Sequence, residues 1–150
     1  MTNREHIRSF VERELHIIDD LQRRSELEKL LVEPRMETRE WGYGERDVRY
    51  PYWVVAESPS RELMLVYCEF GFGPGMPWGF LFTSEGSNPS LGMDAQWCWY
   101  LEEAFVRSGL WTGSLKPGKE EGYHKSPEER FGSRTGGIFD SPLQPKNAPS

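Results

Sequence analysis

Three strand-length runs rich in aromatic and β-branched residues follow one another in the middle of the chain: residues 50–57 (YPYWVVAE), 62–70 (ELMLVYCEF) and 78–84 (WGFLFTS). Val, Tyr, Phe and Trp suit a pleated, half-buried surface, so each run is read as a strand. Ser58, Pro59, Ser60 and Arg61 form a short polar link between the first two, which makes them a hairpin. In the middle run Leu63, Leu65 and Tyr67 alternate with Met64, Val66 and Cys68, so both faces are apolar and the strand is expected at the centre of the sheet. Pro51 has no N–H to give to a ladder, which suits an outer strand or a strand start.

The segment before this sheet is different in kind. The first 40 residues hold 18 of the 42 charged side chains, a border of composition near Glu40. Ile7, Val11, Leu15, Ile18 and Leu21 recur at helical steps, Leu27, Leu30 and Leu31 continue the pattern, and Thr2 with Glu5 has the spacing of a capping box. The expectation is a long N-terminal helix with Pro34 at its end or just beyond it, packing on the core or on a second copy of the chain. Its mixed-sign outer face lacks the basic excess of a membrane-surface helix. A second helix is expected from Met93 and Asp94, with Asp94 as N-cap, Trp97, Leu101, Ala104 and Phe105 at helical spacing, and Gly109 as the stop.

These elements make an α+β fold: an antiparallel sheet of at least three strands, a long N-terminal helix and a second helix. With 150 residues, one domain is expected, its α+β part spanning residues 1–111. Residues 112–150 carry scattered Gly and Pro without a regular period. They are read as an irregular segment that wraps the domain through Tyr123, Phe131 and Phe139 and ends in a mobile tail.

Charge and composition then narrow the function. A formal net charge of -6 gives no Lys/Arg excess for phosphate contacts, which argues against a nucleic-acid partner and suits a basic protein. No apolar run reaches the length of a membrane span, and the charged N-terminus lacks a secretory h-region. Cys68 and Cys98 lie singly in apolar runs, as buried thiols of a reducing cytoplasm do. His6, His16 and His124 have no metal-ligand spacing, and neither a metal nor another cofactor is expected.

The most unusual segment is residues 67–80, YCEFGFGPGMPWGF. Gly71, Gly73 and Gly75, with Pro74 and Pro77, make a loop with special backbone shapes, but the Lys-Ser/Thr of a phosphate-binding P-loop is missing. Two readings of this region stand side by side. As a rigid loop with exposed aromatic residues it is a protein-binding surface, with Glu69, Phe72 and Trp78 as contact residues. Alternatively, Glu69 and Asp94, at element ends, come together as the acid and base of a small hydrolase.

The string Tyr67, Cys68, Glu69, Phe70, Gly71, Phe72, Gly73, Pro74, followed by Pro77, Trp78, Gly79 and later Gly92, Met93, Asp94 and Trp97, resembles a group of small bacterial proteins that brings no assigned activity. In size, acidity and aromatic richness the chain also resembles the immunity proteins that neutralise bacterial toxins. That second resemblance implies a cytoplasmic bacterial protein whose acidic, aromatic surface blocks a basic toxin. The function expected from the sequence is therefore noncatalytic protein binding, with the carboxylate hydrolase as its alternative.

Overall fold

A computed structural model describes residues 3–40, 47–69, 76–83, 97–115 and 122–131. In chain order the elements are α1 (Arg4–His16), α2 (Leu21–Glu28), β1 (Leu31–Glu40), β2 (Arg49–Ser58), β3 (Leu63–Tyr67), β4 (Trp78–Phe82), β5 (Trp97–Cys98), α3 (Leu101–Arg107) and α4 (Pro127–Phe131). The five strands form one antiparallel sheet in the order β1-β2-β3-β4-β5, so the fold is α+β and β3 is its central strand.

The predicted long N-terminal helix is instead two helices and a strand. Asn3, not Thr2, caps α1, its side chain accepting from the His6 N–H. The helix stops at His16, because Asp19 and Asp20 follow where the helix dipole disfavours acidic groups. Asp20 then starts α2 by accepting from the Arg23 N–H at 2.9 Å. Pro34 lies inside β1 rather than ending a helix, at a place where the β1–β2 register shifts. An outer strand tolerates it, and its carbonyl accepts from Arg4 Nε at 3.0 Å.

The second predicted helix begins later than expected. Trp97 is in β5, opposite Gly79 of β4, and α3 starts only at Leu101. Asp94, the expected N-cap, lies outside the described residues; the N-cap is Tyr100, whose side chain makes no capping bond. Gly109 does follow the helix end, with φ of +86°. In the C-terminal segment residues 127–131 form a helix where no regular element was expected. Tyr123 is buried with Tyr100 and Ile17, and Phe131 packs against them; Phe139 is outside the described residues.

The sheet has two apolar faces. On one, Val55, Leu65, Trp78 and Cys98 pack under Ile7 and Val11 of α1 and Leu101, Ala104 and Phe105 of α3. Each such large side chain contributes about 1.5–3 kcal/mol through burial. The other face holds Tyr52, Val54, Met64, Val66, Cys68, Leu81 and Trp97. Here the β1–β2 ribbon curls over the sheet. Arg39 is opposite Tyr50, and Phe82 shares a level with Leu63 and Ser58, so a flat sheet would hold Arg39 and Phe82 about 30 Å apart. Arg39 Nη2 nevertheless donates to the Phe82 carbonyl at 2.7 Å. Register shifts after Leu31 and Val54 supply the bends, as β-bulges do. No helix among the described residues is long and apolar enough to cross a membrane.

Candidate functional site

Strand register aligns one side chain from each strand into a row across the helix-covered face: Met36, Trp53, Tyr67, Trp78 and Cys98 are successive cross-strand partners. The row runs from open to closed. Met36 on the outer strand is 57% exposed, Trp53 and Tyr67 are half-buried, and Trp78 is 3% exposed. Phe10 of α1 lies over the middle, its ring 5.2 Å from that of Tyr67. Tyr67 and Trp78 meet edge to face at 5.0 Å, a favoured aromatic geometry.

Beside the buried end is a cavity of about 120 Å³, lined among the described residues by Phe10, Arg13, Glu14, Tyr67, Pro77, Trp78, Trp99 and Pro127. Six of these are partly exposed, so the cavity reaches the surface, whereas Glu14 and Trp78 form its buried floor. Glu14 is 4% exposed, and its Oε1 accepts the Leu101 N–H at 2.9 Å. A carboxylate of α1 thus supplies the cap that Tyr100 does not provide for α3. Burial raises the Glu14 pKa to about 7, against the opposing pull of that hydrogen bond and of Arg13. The Tyr67 hydroxyl is pushed up to about 12, first by burial and then by Glu69.

The expected site residues fall unevenly on this arrangement. Glu69 is exposed, just past the end of β3, and its charge acts on Tyr67. Trp78 is not an exposed loop aromatic: it opens β4 and is closed in by Tyr67, Cys98 and the α1–α3 layer. Phe72 and Asp94 lie outside the described residues, so the Glu69–Asp94 pair has no described geometry. The residues that the sequence reading missed are Met36, Trp53, Tyr67, Arg13 and Glu14. One signal for Glu14 was present, since it sits three residues after Val11 and seven after Ile7 and so shares their buried face.

Trp78→Ala is accordingly expected to cost about 3–5 kcal/mol of stability, as large-to-small core changes do, rather than to act on binding alone. Chemical denaturation measures it, and a loss below about 1 kcal/mol would show that Trp78 is not core.

Comparison with protein-family models, curated proteins and solved structures gives no match to this chain.

Other reactive groups in the described structure already have structural partners. Cys68 is fully buried, with Sγ 3.4 Å from the Pro51 carbonyl, and burial pushes the Cys98 thiol up to about 12. The Cys98 thiol, held neutral in this way, is a poor nucleophile. Glu57 pairs with Arg35 at 3.1 Å, Glu102 with Arg23 at 2.8 Å and Glu103 with Arg107 at 3.3 Å. No group of three or more His, Cys, Asp or Glu side chains among the described residues is arranged to hold a metal ion.

Proposed function

We propose that the protein is a noncatalytic binding domain for a basic protein, using the open end of the aromatic row as its contact surface. The observation that carries this reading is the row itself: exposed Met36 leads to half-buried Trp53, Tyr67 and Phe10, with Glu69 nearby. Met and large aromatics are enriched at the centres of protein interfaces, where they offer much contact area for little lost rotamer freedom. The net charge of -6 supplies a long-range attraction for a cationic partner. Within this class we place the protein with immunity-like inhibitors that cover a basic bacterial toxin in the cytoplasm. Two buried free thiols, Cys68 and Cys98, support a reducing compartment.

This reading moves the expected contact from Trp78 to Trp53 and Met36, while keeping Glu69 at the rim. Trp53→Ala should weaken binding by about 2 kcal/mol or more, as hot-spot aromatics do. Met36→Glu tests the same surface with little risk to the core, because the side chain is already mostly outside it. Glu69→Gln should chiefly slow association and reduce its dependence on salt. The measurement is binding kinetics at two salt concentrations against a candidate basic protein partner, after circular dichroism has shown each variant folded. Unchanged rates for all three variants would remove this surface from consideration.

A further inference from the structure

The cavity at the inner end of the row holds a group that protein binding along its outer end does not use. Glu14 is almost fully buried, yet its carboxyl accepts one hydrogen bond among the described residues, from the Leu101 N–H to Oε1. A glutamine carbonyl would satisfy that N–H equally well and would avoid the cost of burying a charge. Glu14 lines a cavity whose other walls include Phe10, Tyr67, Trp78 and Trp99.

From this combination we infer that the cavity is a binding site for an alkylammonium group, with the Glu14 carboxylate as its counter-ion and the aromatic side chains around its stem. The chemistry follows from the walls. A cation gains both from the carboxylate and from aromatic faces, whereas its methylene groups lose contact with water. The size sets the class. A volume of about 120 Å³ is that of about four waters at liquid density, enough for the last few heavy atoms of an aliphatic amine.

Arg13, also in the wall, is the competing cation. Its guanidinium lies 5.5 Å from the Phe10 ring centroid, and burial lowers its pKa. Its charge, with that of Arg130 on α4, helps keep Glu14 ionised; Glu102 on α3 opposes them, and Tyr67 on β3 stays neutral. Binding a cation stabilises the ionised carboxylate, so occupancy is linked to release of the Glu14 proton.

The same ammonium chemistry is offered by a free amine and by a lysine side chain of a partner, and the experiment separates them. Indole NMR shifts of the parent protein are followed at pH 8 while n-butylammonium, Nα-acetyl-lysine amide, n-butanol or butyrate is added. Saturable shifts are expected at Trp78 and Trp99 with n-butylammonium, weakened at least tenfold in Glu14→Gln and about tenfold at pH 6, where the carboxyl is mostly protonated. Nα-acetyl-lysine amide competing for the site assigns it to a protein lysine; n-butylammonium binding alone assigns it to a free amine. Equal binding of n-butanol, preferred binding of butyrate at Arg13, retention of affinity in Glu14→Gln or no saturable shift with either amine would each overturn the assignment. None of these readouts depends on Met36 or Trp53, so failure here leaves the outer surface to be judged by its own variants.

Discussion

Arg23→Met is expected to destabilise the protein by about 3–5 kcal/mol, the loss typical of stranding one member of a buried ion pair. Both side chains are 1% exposed, and Arg23 Nη1 donates to Glu102 Oε2 at 2.8 Å. The guanidinium also lies 5.2 Å from the Trp111 ring and reaches the Ser114 carbonyl, so it joins α2 to α3 and to the chain that follows α3. Without Arg23, the buried Glu102 carboxyl loses its cationic partner. The double variant Arg23→Met with Glu102→Leu should recover most of the loss, because apolar replacement of both partners removes two desolvation costs together. Urea denaturation of the parent, both single variants and the double variant completes the cycle. A single-variant loss under about 1 kcal/mol would mean that the pair is effectively solvated.

Glu14→Gln is expected to raise stability at pH 8 by about 3 kcal/mol relative to the parent and to change it little at pH 4. The sign follows from a folded pKa of about 7 against an unfolded value near 4.5. Glu14 therefore favours the folded state most when both states are protonated, below the unfolded pKa. That contribution declines as pH rises from about 4.5 and is lost as pH passes through about 7. Gln retains the acceptor for the Leu101 N–H but never ionises, so the difference between the two proteins isolates this group from other titrations. Parallel stability-against-pH curves for parent and variant would show that the Glu14 carboxyl titrates alike in the folded and unfolded states.

The strands were legible because their information is local. Alternation along residues 63–68 announced a central strand with two buried faces, and a short polar link announced the hairpin before it. The N-terminal segment misled for a physical reason. Leu21, Leu27, Leu30 and Leu31 continue an apolar spacing compatible with helix, although Asp19, Asp20 and Pro34 mark breaks. Around Trp97 the spacing to Leu101 looks helical, but pairing with Gly79 holds that tryptophan in a strand. Propensity cannot anticipate a pairing made across the sheet.

The functional residues were less legible because the row exists only once register is set. Met36, Trp53 and Tyr67 are far apart in sequence, and a shift of one residue between strands would turn a side chain to the other face. Glu14 was hidden by its neighbours, since Glu12 and Arg13 made it look like part of a solvated charged run. Its burial depends on α3, whose first N–H lies 87 residues away. Trp78 follows a Gly/Pro-rich segment that suggests an exposed loop, but it begins the strand that supports the core.

The nearest-neighbour order of the sheet gives the chain a simple assembly problem in its middle and a difficult one at its two sides. Each strand meets the next through a local closure, whereas Glu14–Leu101 and Arg23–Glu102 join groups separated by 87 and 79 residues. Loop-closure entropy rises as about (3/2)RT ln n, so these links are costly while the intervening chain is unstructured and much less so once the strands have drawn their ends together. The sheet is thus also the spacer that shortens the effective search between α1, α2 and α3, and the two buried carboxylates act as latches on a structure already brought within reach.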